Sequence, residues 1–225
     1  MGAVAKQILA QRGIYVGAHI AALAGVKDTP FNPLGESADT FSELAHKTFP
    51  VLDDAAGNEM QQLILAAKQS CDSVGGVIEC MAINLPAGIG APFFDSLESR
   101  LAHALFSVPA VKGIEFGKGF ALTQITGSEA NDQMYYDNGV VKTYTNNNGG
   151  ITGGITNGMP VLFKAAVKPT PSIAKVQKTV DLSTESNTEL VITGRHDPCI
   201  VQRAVPVIEG VAAWVILDML LAGEK

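Results

Sequence analysis

At 225 residues the chain is long enough to bury a substantial core, as one large domain or two small ones. Only 17% of its residues are charged and the formal net charge is −6, which argues against a dedicated nucleic-acid binder, since no basic stripe is present. Cys71, Cys80 and Cys199 have neither CxxC spacing nor a disulfide framework, and fit reduced thiols in the cytoplasm.

The chain opens directly in helical sequence over 3–11, with no capping residue and no lead-in, so a segment upstream of Met1 is expected. Residues 14–26 alternate and are rich in β-branched and small side chains, which predicts a strand. A long polar connection with Pro30, Pro33 and Gly35 covers 27–49. Over 55–70, Met60, Leu63, Ile64 and Ala67 recur at helical spacing, and Asp53 and Asp54 favour the N-terminal end. A buried strand is predicted at 77–85, a glycine and proline loop at 86–92, a helix at 94–106 and a strand at 111–116. This alternation suggests βαβ units.

From 117 to 158 the periodicity weakens into glycine, asparagine and polar residues, and a loop of that length is usually functional or disordered. Strands follow at 160–167 and 189–193. The apolar run 205–221 contains Glu209, Gly210 and Asp218, falls short of the roughly 20 clean residues of a membrane span, and reads as a buried helix. No signal peptide, linker or internal repeat is visible, so 1–225 is read as a single domain.

Three stretches carry candidate chemistry. Thr193-Gly194-Arg195-His196-Asp197-Pro198-Cys199 sets a cation, an imidazole and a carboxylate at a strand-to-helix corner. Arg195 can bind an anion bidentately and Asp197 can handle a proton, while the plainer alternative has Asp197 capping the next helix. Lys168-Pro169-Thr170-Pro171-Ser172 adds a cation and two hydroxyls on a backbone stiffened by two prolines, suited to phosphate or to a simple turn. The small side chains of 146–155 allow a flat or phosphorylated ligand close to the backbone, or form a flexible hairpin. No GxGxxG or GxxxxGK[ST] supports a Rossmann or P-loop site. No histidine pair has metal-ligand spacing, and His103 reads as a surface residue.

In chain order, Ser107-Val108-Pro109-Ala110-Val111-Lys112-Gly113-Ile114-Glu115, Gly127-Ser128-Glu129, Asn148-Gly149-Gly150-Ile151 with Gly153-Gly154-Ile155, Lys168 to Ser172, and Thr193 to Cys199 followed by Arg203-Ala204-Val205-Pro206 resemble the chorismate synthase family. The likeness covers nearly the whole chain but only the C-terminal part of the family. It implies an α+β fold with duplicated strand–helix units around a central helical layer, here truncated at the N-terminus, and a cytoplasmic homotetramer that binds neither nucleic acid nor membrane.

The implied reaction is loss of phosphate and a C6 proton from 5-enolpyruvylshikimate 3-phosphate to give chorismate, with reduced FMN and no net redox change. NADPH is the implied reductant of the flavin. Carried over, the FMN contacts fall on Pro109 and Ala110, Gly153, Lys168, Pro169, Thr170, Pro171, Ser172 and Arg195. Arg195 also lies near the substrate, and Asp197 is the residue that exchanges a proton. At Pro109 the family often has Asn, which leaves only a backbone contact. The family's Gly-Glu-Ser-His-Gly and Ser-Ala-Arg segments do not occur in this sequence, so little or no turnover is expected from it alone. The competing expectation is a non-catalytic assembly or phosphate-binding module that keeps the scaffold.

Overall fold

The computed structural model describes residues 1–223. Its N-terminal half runs α1 (Gly2–Gln11), β1 (Tyr15–Leu23), β2 (Val26–Lys27), α2 (Ala38–His46), α3 (Asp54–Gln69), β3 (Gly76–Ile83), α4 (Leu97–Phe106) and β4 (Val111–Phe116). Then come a 3-10 turn at Gly119–Gln124, α5 (Gly127–Ala130), β5 (Met134–Asp137), β6 (Val140–Thr143), β7 (Ile151–Thr152), β8 (Ile155–Thr156) and β9 (Val161–Val167). The chain continues through β10 (Gln177–Asp181) and β11 (Ser186–Leu190) into α6 (Val201–Gly223).

The main sheet has the order β2-β1-β3-β9-β4, and every neighbouring pair is antiparallel. The expected βαβ units therefore need correcting. β3 and β4 do run parallel and α4 connects them, but β9 is inserted between them from much later in the chain. Alternation along the sequence records the crossover and is blind to a strand added afterwards.

The two faces follow the period of two. Ala18, Cys80, Phe163 and Phe116 lie opposite one another across β1, β3, β9 and β4. They face the larger core, which α1, α4 and α6 close with Leu9, Leu101, Leu105, Ile208 and Ile216. One residue along each strand, His19, Glu79, Lys164 and Glu115 form a polar row on the other face. Beside that row sits a smaller core of Phe31, Phe41, Leu44, Met81, Ile83 and Leu162. Gly17 is needed there, because an added Cβ would lie 2.3 Å from the Phe41 ring.

Polar sequence concealed two elements. The 27–49 connection holds α2, started by the Ser37 hydroxyl accepting from the Thr40 amide at 3.0 Å; in only nine residues it buries just Phe41 and Leu44, too few to show a period. The strand expected at 189–193 is β11, shifted toward the N-terminus and paired with the unexpected β10. By contrast α3 is capped as read, with Asp53 Oδ1 accepting from the Ala55 amide at 2.8 Å. The final helix starts earlier than expected. It is long and apolar enough to cross a membrane by length and composition, but 56% of its most apolar window is buried inside the fold. The helix is buried as expected along most of its faces, and Trp214, Val207 and Leu221 leave one side of it open.

Candidate functional site

Two of the three motif stretches meet at one end of the sheet. Pro169 has no N–H to continue the β9 ladder, so the sheet stops at Val167 and the chain turns outward. Three bonds pin the turn. The Lys168 amide donates to Ala110 O at 2.9 Å, and the Ser73 hydroxyl donates to Thr170 O at 2.6 Å. The Ser172 hydroxyl lies 3.2 Å from His196 Nδ1. Gly75 permits this closeness, since a Cβ there would sit 2.4 Å from Val167 O. Ala110 is held at φ +73, an unusual conformation for a residue with a side chain, directly under the Lys168 amide.

His196 ties the two loops together. Its Nε2 lies 2.9 Å from Ile192 O, a pure acceptor, so Nε2 carries a proton. In the neutral ring Nδ1 is then the acceptor and the Ser172 hydroxyl is the donor. The Pro198 carbonyl accepts from the Val74 amide at 2.8 Å, which fixes the second loop against the start of β3.

Asp197 does not cap α6. Its carboxylate accepts from Arg203 in the first turn of that helix, and the Cys199 thiol faces the Val201 and Gln202 amides instead. Burial pushes the Cys199 thiol up despite those amides. Nearby, Lys175 donates to Asp72 at 2.6 Å and, with the Ser73 amide, holds that carboxyl below its usual range. Arg203 and Lys175 are thus paired. Lys168 and Arg195 are exposed, and among the described residues neither side chain has a hydrogen bond or ion pair. Thr170 Oγ1 is buried without a partner. The corner therefore offers two uncommitted cations, an unsatisfied hydroxyl and a carboxylate on two adjoining loops.

Pro109 is exposed beside Ala110 and belongs to this corner. Gly153 does not. It sits at φ +61 in the β7–β8 turn, whose Gly154 carbonyl receives the Leu97 amide at the start of α4. Pro109 and Ala110 follow the other end of α4. Its ten residues put about 15 Å between the two places.

Sequence reasoning did not find the Ser73, Val74 and His196 contacts, which join segments 97, 124 and 24 residues apart. It used Gly127-Ser128-Glu129 only for the family resemblance and did not single out Asp132. Asp132 accepts from the Thr145 hydroxyl at 2.7 Å and from the Asn147 and Asn148 amides at 2.7 and 3.0 Å, and so shapes the asparagine run.

The sequence profile of the family described as chorismate synthase matches residues 1–221. The chain belongs to the chorismate synthase family. It is 44% identical over 220 residues to the chorismate synthase of Dehalococcoides mccartyi, covering 98% of this chain and 59% of that protein. With the Methanosarcina barkeri enzyme the identity is 46% over 222 residues, with the same two coverages. A crystal structure of a chorismate synthase superposes with a TM-score of 0.81 at 26% identity, over 99% of this chain and 61% of the other. The α+β expectation therefore holds. The chain spans less than two thirds of the length of the relatives it matches.

Proposed function

We propose that these residues form part of an FMN-dependent carbon–oxygen lyase that converts 5-enolpyruvylshikimate 3-phosphate to chorismate in the cytoplasm. The observation that carries this is the corner of uncommitted donors, Lys168, Arg195 and the orphaned Thr170 hydroxyl, in a member of this family. The donor set fits a flavin phosphate and an anionic substrate: two cations for anionic oxygens, and a buried hydroxyl that lacks only a partner. When bound, reduced FMN lends electron density to the substrate; NADPH is its proposed reductant.

The residues of this chain have distinct tasks in that scheme. Lys168 and Arg195 attract and orient anionic groups. Pro169 and Pro171 keep the Thr170 and Ser172 hydroxyls in place, and His196 fixes the Ser172 proton. Ala110 offers backbone alone. Asp197 holds or accepts a proton at its carboxylate, steered by Arg203. Gly153, a helix length away on the β7–β8 turn, is proposed as a further FMN contact. The family's Gly-Glu-Ser-His-Gly segment does not occur in this sequence, and on that ground residues 1–225 alone are proposed to have little or no turnover.

The test is FMN titration and chorismate formation with a longer protein that carries these 225 residues. Lys168→Ala and Arg195→Ala should each weaken FMN about tenfold or more. Asp197→Asn should leave FMN affinity intact and slow the reaction by about 10²–10⁴-fold. Unchanged FMN affinity in both cation variants, or a near-normal rate in Asp197→Asn, overturns the assignment. FMN bound without any chorismate formed would leave a non-catalytic module.

A further inference from the structure

A cavity of about 550 Å³ opens over the polar row of the sheet, on the face away from α1, α4 and α6 and away from the corner of motif loops. This volume lies within the range of small-molecule sites. Its floor is Glu79, Lys164 and Glu115, cross-strand neighbours on β3, β9 and β4. Lys118 stands at its side, and Leu34 and Tyr144, both well exposed, stand at its rim.

The floor is built but unsaturated. Glu79 has a side chain only 2% exposed. Its Oε2 is fully used, by His19 Nε2 at 3.0 Å and the Phe31 amide at 2.8 Å. Its Oε1 has only the Lys164 ammonium, at 3.8 Å, and Glu115 Oε1 is likewise 3.8 Å from Lys164. Both separations exceed hydrogen-bond reach. Among the described residues Lys164 has no closer partner, so three charged groups face the cavity with bonding capacity left over. A carboxylate held in place by two bonds on one oxygen, with the other turned to the cavity and lacking a hydrogen bond, leaves room for a polar partner.

The signs of charge select the ligand. An anion would meet Glu79 and Glu115, and a cation would meet Lys164 and Lys118. A molecule that carries both signs a bond or two apart satisfies the alternation. The apolar rim then takes a non-polar body. We infer that this cavity binds a zwitterion of the α-amino-acid class with an apolar side chain, its ammonium toward Glu115 and Glu79 and its carboxylate toward Lys164 and Lys118. The site is independent of the lyase assignment.

Calorimetric titration of residues 1–225 tests this with L-leucine and L-phenylalanine as probes, against phenylacetate and phenethylamine as single-charge controls. Saturable binding is expected for the amino acids, with each control at least about tenfold weaker, since each lacks one set of charge-assisted bonds. Glu115→Gln and Lys118→Ala should each lower amino-acid affinity about tenfold without altering the circular dichroism. Glu115→Gln keeps an acceptor for the Phe120 amide, so its fold is protected. The inference fails if neither amino acid binds at ~10 mM, which is weaker than the millimolar range of the weakest specific sites. It fails equally if a control binds as well as the zwitterions, or if both folded variants bind like the parent.

Discussion

His19 offers the sharpest test of what holds the outer face of the sheet. Its ring is fully buried, with Nδ1 2.8 Å from Asp28 Oδ2 and Nε2 3.0 Å from Glu79 Oε2. Both neighbours are carboxylate oxygens, so the geometry calls for a proton on each nitrogen. Burial works against that charge, but the hydrogen bonds to Asp28 and Glu79 outweigh it and raise the pKa above its ordinary 6.5. Asp28 in turn accepts from the Leu52 and Asp53 amides at 2.7 and 2.8 Å, so the imidazolium joins β1, β3 and the lead-in to α3. In His19→Leu two charge-assisted bonds worth ~1.5–3 kcal/mol each disappear and two buried carboxylates lose their counter-charge. Removing one partner from a buried pair costs about 3–5 kcal/mol, and that range is the expected loss at pH 6. For a chain of this size it corresponds to a drop of about 10 °C in melting temperature. Glu79→Gln added to His19→Leu should recover part of the loss. A raised folded pKa makes the His19 contribution complete below 6.5 and drains it as pH rises through the folded value. Burial pushes the Asp28 carboxyl up, but bonds from His19 and the two amides bring it below 3.8, so its share is present above 3.8 and is lost as pH falls through the lowered value. The cluster is therefore most effective between pH 3.8 and 6.5. Urea unfolding read by circular dichroism decides the matter. A loss under about 1 kcal/mol, or wild-type stability that stays flat above pH 6.5, would refute the bridging role.

Asp132→Ala should cost about 3 kcal/mol in urea unfolding and speed amide exchange at Asn147 and Asn148, whose N–H groups it holds. Burial would push the Asp132 carboxyl up, but the Thr145 hydroxyl and those amides lower it, so this support is lost as pH falls through a value below 3.8. Desolvation raises the Glu209 carboxyl inside α6, and Lys6 of α1 partly offsets it. Lys6→Ala should then lower stability at pH 7 more than Glu209→Gln does, and the gap should close toward pH 4.5 as Glu209 takes up its proton. Nitrogen NMR of His196 in its neutral form should show the Nε2–H tautomer, and an Nδ1–H ring would break the proposed link to Ser172.

What the sequence discloses follows how each element is built. α3 and α4 carry repeated apolar spacing and side-chain caps, so both are legible. α2 has two buried residues, and β10 and β11 have exposed or half-exposed residues throughout, so neither leaves a hydrophobic period. The motifs at Lys168 and Arg195 are visible as unusual local chemistry. Their meeting place is not, because it depends on β9 entering between strands that precede it by at least 45 residues. His19 looks like an isolated histidine in an apolar strand, and nothing local announces that Asp28 and Glu79 close on it.

The polar row also guards the assembly of the sheet. β9 must find its place between β3 and β4 across a long stretch of chain, and a slip of one residue would exchange its faces. Lys164 would then enter the packed layer under α4 and α6, while Phe163 would land among Glu79 and Glu115. Both halves of that error are expensive, so the correct pairing is separated from its nearest mistake by a charge on each side of the strand. The row thus fixes the register of β9, because the nearest misalignment would place a charge in the apolar layer and an aromatic ring among carboxylates.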